Sequence, residues 1–393
     1  MSAEFESMPP VNDNLNVLIL GAGHAGQRLH SNAILNNPEV FPNTTITLYD
    51  QDPARRDISR FDVAETMSAA QHSGQLVVAD ELEKTPKPDV IIVATNSGTH
   101  LKAYMDAYAV HGMTKAVGFE KVMIGLDEVD AFNAAAKAGM LDVDTIRVNE
   151  TRALSYAVGR AADIIDEKRA AGMRLVGVDS VQYKLRLARF FDHEYGAQGI
   201  EGTHGFSAFV GMTGLSLMKS EILHNVNLNP FSETGKEATY TILRSRQNGE
   251  VVTSRFAQGL GNFTIDASGH LEFMPDTEDG KPGNPGMKRT IEATFDTGDK
   301  VKITFDPHGR KDVPKFSSIV EHTAEDGTTA EEAIPDDTAA RFVHGLAVKA
   351  TTGKDILPKA ASARYALEHV RFLRGIFLGS TEIDDPKQTI SQI

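Results

Sequence analysis

The sequence predicts an α/β chain: a doubly wound parallel sheet, followed by an α+β domain built on an open, mostly antiparallel sheet. Three observations carry that expectation. Up to about residue 150, Val- and Ile-rich runs without polar alternation recur between helix-length amphipathic segments, as strands buried on both faces require. Beyond that point the runs alternate apolar and polar residues with a period of two, the mark of a sheet with one solvated face. Finally, 393 residues are too many for one ordinary core.

In the first part, strands are expected at 16–20 (NVLIL), 45–49 (TITLY), 75–79 (QLVVA), 90–94 (VIIVA) and 115–119 (KAVGF). Helices are expected near 25–36, 53–70, 98–111 and 126–139, giving a Rossmann-type domain over 15–150. A second domain, 151–393, opens with a long helix over 152–170. Alternating strands follow at 174–187, 237–246 and 250–257, with Asn248-Gly249 as a tight hairpin between the last two. NFTIDA, HLEFMP, TIEATFD and KVKITFD continue the series, and 323–337 (TAEDGTTAEEAIPDD) reads as an acidic loop. Residues 338–378 read as helical, with a late helix over 356–378 placed to pack back on the first domain.

Composition narrows the function classes. An apolar fraction of 41% with 24% charged residues describes a soluble globular chain, and the longest apolar runs are strand-sized. The first fourteen residues, MSAEFESMPPVNDN, have neither a basic start nor an apolar core, so a disordered leader over 1–14 is expected in place of a signal peptide. There is no cysteine, which removes disulfides, thiolate nucleophiles and cysteine-held zinc, and a reducing cytoplasm fits. A net charge of −14 argues against nucleic acid as a partner. The basic run 184–190, with Lys184, Arg186 and Arg189, alternates like a strand and reads as a solvated sheet face. Histidines with metal-ligand spacing and a G-x-S-x-G elbow are both missing, so no metal site is expected.

The chemistry starts at VLILGAGHAG. Gly21, Gly23 and Gly26 form G-x-G-x-x-G directly after a strand and at the start of a helix. The first glycine permits the turn, the second lets a pyrophosphate approach, and the third lets the helix pack on the sheet. His24 and Ala25 stand where that pyrophosphate would lie; His24 reads as a cofactor neighbour or as a solvent-exposed residue at the cleft mouth, and not as a base. Asp50 ends the second strand 24 residues beyond Gly26, where a carboxylate accepts ribose hydroxyls and repels a 2′-phosphate. NAD is therefore favoured, with NADP the alternative because Arg55 and Arg56 follow closely. A flavin also suits such a loop, until the next two segments are read.

DVIIVATNSGTH and AVGFEKVM both place polar loops at the carboxyl ends of buried strands. The pattern T-x-x-x-x-H, then about twenty residues, then E-K, resembles the glucose–fructose oxidoreductase/inositol dehydrogenase (Gfo/Idh/MocA) family. That family's signature is T-P-N-x-x-H followed by E-K-P, and the layout of the whole chain is similar to it. The resemblance implies that Thr95, Asn96 and His100 line the cofactor. It also implies that Glu120 and Lys121 are the E-K pair, with Lys121 touching both the nicotinamide ribose and the reacting oxygen of the substrate. An ammonium beside a carbinol stabilises a developing alkoxide. Asn96, Ser97 and Val122 depart from the pattern.

Oxidation of an alcohol also needs a base, and histidine suits neutral pH. The family's D-x-G-x-H resembles GIEGTHGF, which makes His204 the candidate, with Ile200 at the aspartate position and Glu201 beside it as a possible substrate-binding substitute. His193 reads as a solvated loop residue, His224 as part of a helical stretch, and Lys184 faces either the cleft or solvent. The implied activity is NAD(P)-dependent hydride transfer to or from a secondary alcohol of a sugar, cyclitol or polyol. A catalytically silent dinucleotide-binding regulator and an NAD-dependent glycosidase are the alternatives. The resemblance also implies a homodimer or homotetramer, joined through the open sheet; no membrane partner is expected.

Overall fold

The computed structural model describes residues 11, 14–57, 75–125, 127–184, 202–228, 237–260, 263–265, 271–273, 288–307, 310, 312–314 and 317–378. Glu201, Ile200, His193, Arg186, Arg189, the side chain of Lys184, the helix expected beyond residue 57 and most of the expected leader lie outside them. Val11 within that leader is described and departs from the expectation: it is buried, and its amide donates to Val40 O at 3.1 Å. The chain forms two compact units. Among the described residues, one runs to Glu150 and takes in Thr338–Val370; the other is Thr151–Asp337 with residues 371–378. Among the described residues no helix is long and apolar enough to cross a membrane.

The first unit is built on six parallel strands in the order β3-β2-β1-β4-β5-β6. These are β1 (Asn16–Leu20), β2 (Thr45–Tyr49), β3 (Gln75–Val78), β4 (Val90–Val93), β5 (Ala116–Glu120) and β6 (Ile146–Asn149). The first five fall on the expected runs; β6, IRVN, was not expected, because four residues interrupted by Arg147 carry little period. Ile19, Ile46, Leu48, Ile91, Ile92 and Val93 are fully buried, each contributing about 1.5–3 kcal/mol of apolar burial. The helices are a wide, π-type turn (Ala25–Ser31) running into α1 (Asn32–Leu35), then α2 (His100–His111) and α3 (Val129–Lys137).

The expected helical stretch 338–378 is broken in two: α6 (Thr338–Thr352) and α7 (Ala363–Leu378). Gly353 ends α6 with φ +73°, and Pro358 lacks the amide that continuation needs. α6 lies against β5 so closely that a Cβ on Gly118 would stand 2.6 Å from Leu346 Cδ1.

In the second unit, α4 (Tyr156–Ala170) and α5 (Thr203–Thr213) accompany an eight-stranded sheet ordered β16-β15-β14-β13-β7-β10-β9-β8. The strands are β7 (Leu175–Lys184), β8 (Ser220–Leu228), β9 (Glu237–Gln247), β10 (Glu250–Leu260), β13 (Lys288–Phe295), β14 (Lys300–Phe305), β15 (Ser317–Thr323) and β16 (Thr329–Pro335). β11 (Phe263–Ile265) and β12 (Leu271–Phe273) form a separate antiparallel ribbon. Pairing in the large sheet is antiparallel except at its centre, where β7 and β10 run parallel. Asn248 and Gly249 join β9 to β10 with φ of +54° and +80°, as a type I′ turn requires. Phe206 and Phe209 of α5 pack on Phe256 of β10 at ring separations of 4.8 and 5.6 Å.

Two expectations fail here. The acidic stretch 323–337 is no loop but the turn and second strand of a hairpin, with Thr323 opposite Thr329. Five successive exposed residues in β16 hide its period, and polar, charged residues are what an edge strand carries. His224 lies on β8, not on a helix; β8 is the other edge strand, and the His224 ring meets that of Tyr240 at 6.2 Å.

A buried ion pair fastens α4 to this sheet. Lys168 bonds Asp299 directly, and Thr297 Oγ1 donates to the same carboxylate at 2.7 Å. The Lys168 bond holds the Asp299 carboxyl down at about 2, below the ordinary 3.8. A depressed acid lends stability above its ordinary value and loses it as pH falls through about 4 towards about 2. Asp299→Asn is thus expected to be less stable than the parent at pH 7 in urea unfolding, with the difference closing below pH ~3. A constant difference from pH 7 to 2 would contradict this account.

Candidate cofactor and active site

The sheet order of the first unit reverses at β1, flanked by β2 on one side and β4 on the other. Ligands of such sheets bind beyond the carboxyl ends at that point, and the glycine-rich loop leaves β1 there. Gly21 has φ +103°, and a Cβ on it would lie 2.6 Å from the Ala94 carbonyl. On Gly26 a Cβ would lie 2.1 Å from Gly21 O. Protein packing therefore demands both glycines. Gly23 differs: its added Cβ would meet only Arg55 Nη1, at an ordinary 3.5 Å. The chain itself does not require glycine there, whereas a pyrophosphate approaching the backbone does.

Asp50 follows β2, half-buried. Its Oδ2 accepts the Ala22 amide and its Oδ1 the Asp52 amide, both at 2.9 Å. This fixes the carboxylate beside the glycine loop and leaves further lone pairs for two ribose hydroxyls. Arg56 Nη1 donates to Asp50 O at 2.6 Å, while exposed Arg55 lies over Gly23. His24 is exposed at the helix start and makes no capping bond with its side chain. Ala25 begins the helical turn. These residues fit a dinucleotide.

The next two loops are tied to that cradle. Thr95 N lies 2.7 Å from where a Gly21 Cβ would stand, so the loop after β4 touches the glycine loop. Thr95 is half-buried and Asn96 exposed. His100 is buried, not presented to a ligand: its Nε2 lies 2.8 Å from Thr95 O and its Nδ1 3.0 Å from Met123 O. Burial pushes this imidazole below its ordinary value against the pull of the two carbonyls. A neutral ring donates to one carbonyl at a time. His100 is a clamp between the loops after β4 and β5.

Glu120, at the end of β5, is also engaged within the protein. Its Oε1 is bonded to His30 Nε2 at 2.7 Å and to Asn149 Nδ2 at 2.7 Å. Burial would raise this carboxyl, but the His30 and Asn149 bonds and the Lys121 charge bring it below the ordinary glutamate value. Lys121 follows, half-buried, and its peptide bond to Val122 is cis. His30 and Asn149 went unnoticed in the sequence. The only available signal for His30 was a polar residue on the buried face of the first helix, and Asn149 ended a strand too short to detect.

In the second unit, His204 occupies the first turn of α5 and is 7% exposed. The backbone beside it is pressed on the sheet, since a Gly205 Cβ would stand 3.0 Å from both Ser180 Oγ and Gln258 Nε2. His204 and Lys121 belong to different units.

A six-stranded parallel sheet with this glycine loop at its switch point defines a dinucleotide-binding Rossmann domain, here followed by a large, mostly antiparallel sheet. Residues 15–138 match the profile of the Gfo/Idh/MocA oxidoreductase family, described as an NAD-binding Rossmann fold. The first unit therefore carries the NAD-binding Rossmann domain of that family's profile. Among curated proteins none matches it in sequence.

Solved structures share the fold at low identity. An oxidoreductase from Thermotoga maritima is 15% identical, with TM-score 0.64 over 97% of this chain and 100% of its own. A levoglucosan dehydrogenase in complex with NADH and L-sorbose is 15% identical, with TM-score 0.63 over 94% and 97%. An apo scyllo-inositol dehydrogenase from Lactobacillus casei is 13% identical, with TM-score 0.59 over 93% and 96%.

Proposed function

We propose that the protein is an NAD-dependent dehydrogenase acting on a secondary alcohol, or reducing the matching ketone, of a sugar, cyclitol or related polyol. The observation that carries this reading is the continuous tie from the glycine loop through Thr95 and His100 to Met123. This tie supports a role for Lys121, two residues before Met123, beside the dinucleotide site. The fold relatives named as levoglucosan and scyllo-inositol dehydrogenases support the substrate class, since both of those substrates are cyclic polyols.

Bound NAD supplies a nicotinamide carbon that accepts hydride from the carbinol. Asp50 holds the adenosine ribose, and the loop Gly21–Gly26 takes the pyrophosphate. Lys121 binds the carbinol oxygen and stabilises negative charge on it. His204 takes the hydroxyl proton as general base, and Glu201 is assigned to substrate contact. Water exclusion falls to the loops that His100 clamps.

The test is incubation with NAD and a panel of cyclitols, aldoses and anhydrosugars, following absorbance of reduced nicotinamide. NAD-dependent turnover of at least one secondary alcohol is expected; tight NADH binding without turnover of any would overturn the enzymatic reading. The cofactor assignment has its own check in Asp50→Ala. Losing charge-assisted hydrogen bonds to ribose, at about 1.5–3 kcal/mol, should weaken NADH by roughly tenfold or more. NADPH binding should hold or improve, and equal losses for both would refute Asp50 as the selector.

A further inference from the structure

The fully buried His30 has no part in the scheme above, yet it bonds the carboxylate adjacent to the proposed alkoxide-stabilising lysine. Its helix begins in the glycine loop, its ring tilts against Phe342 of α6 at 5.7 Å, and its Nε2 reaches Glu120 Oε1 at 2.7 Å. The same oxygen receives Asn149 from the end of β6 at 2.7 Å. Two donors from two other elements thus converge on one carboxylate oxygen at the tip of β5. A histidine bonded to a carboxylate through Nε2 carries its proton there.

We infer that His30 and Asn149 are positioning residues for Lys121, acting through Glu120. The two donors hold the Glu120 carboxylate, and with it the chain leading into Lys121, to the helix that leaves the glycine loop and to β6. The Lys121 charge adds, after the His30 and Asn149 bonds, to what holds the Glu120 carboxyl below its ordinary value. Without the donors, burial of that carboxylate is uncompensated, so it turns towards solvent or takes a proton. Either outcome moves the carboxylate or removes its charge beside the lysine. Placement errors of about 1 Å in such groups cost up to about a hundredfold in rate.

The inference rests on the proposed role of Lys121, so two independent readouts are needed. His30→Leu removes the donor, His30→Gln restores an N–H donor, and Asn149→Ser removes the second bond. In each full-length variant, kcat on the alcohol found in the panel is measured together with NADH affinity by fluorescence and melting temperature. The rate at which an amine-selective acylating reagent modifies Lys121, relative to distant lysines, is read by peptide mass.

His30→Leu is expected to lower kcat by about 10–100-fold, to change Lys121 acylation and to lower the melting temperature, since the buried Glu120 loses a donor, while NADH affinity stays near the parent. His30→Gln should recover most of kcat and acylation, and Asn149→Ser should move both in the direction of His30→Leu. Unchanged kcat and acylation in His30→Leu would overturn the inference. So would losses that track NADH binding and that Gln does not relieve, since those describe a purely structural histidine. If Lys121→Ala keeps its turnover, the proposed reaction chemistry fails, and acylation alone decides whether His30 positions this lysine.

Discussion

Lys121→Ala is expected to lower turnover by roughly 10²–10³-fold, the usual loss when a donor to a developing oxyanion is removed. NADH affinity should change little by comparison, because the pyrophosphate and adenosine contacts are assigned to the glycine loop and Asp50. The loss should appear in kcat and kcat/KM alike, as it does when an interaction made only in the transition state disappears. Lys121→Arg should not rescue, since a planar, forked guanidinium cannot reproduce a point charge at one oxygen. Steady-state kinetics on any alcohol the enzyme oxidises, paired with NADH titration, settle the matter. Parent-like turnover in Lys121→Ala would end the assigned mechanism.

The three glycines should respond to the same substitution in two different ways. At Gly26 the new methyl would sit 2.1 Å from Gly21 O, a backbone atom whose own amide is pinned to Tyr49 O at 2.7 Å. Neither side can yield cheaply, so Gly26→Ala should destabilise the chain by about 1–3 kcal/mol or more. Gly23→Ala meets only the far end of Arg55 at 3.5 Å, so its stability should stay within about 0.5 kcal/mol of the parent. Its NADH affinity should nevertheless fall by at least about tenfold, because the methyl occupies the line of approach of the pyrophosphate. Urea unfolding and NADH titration on both variants test the pair. If Gly23→Ala binds NADH normally, the second glycine is not where the phosphates pass.

Much of this architecture was written in local pattern. Buried parallel strands show as unbroken Val and Ile, and β1, β2, β3, β4 and β5 lie where those runs fall. Asn248-Gly249 specifies its own hairpin through positive φ at both residues. The elements that escaped detection have weak local signals for physical reasons. β6 is four residues long, and β16 is an edge strand whose exposed, charged side chains read as a loop. The α6/α7 break needed no more than Gly353 and Pro358, which were visible but outweighed by the apolar periodicity around them.

The candidate residues were legible because each stands at a fixed offset from a strand end: Gly21, Gly23 and Gly26 after β1, Asp50 after β2, Thr95 after β4, Lys121 after β5. What those side chains do to one another was not. His100 stands in a ligand-facing motif but turns inward to clamp two loops, and Glu120 is taken up by His30 and Asn149, which are 90 and 29 residues away. Strand periodicity and glycine steric demand are local properties, so sequence alone determined the class of fold and the place of the cradle. Which polar groups face a ligand and which satisfy each other depends on partners brought together from distant segments, and only the tertiary structure decided that.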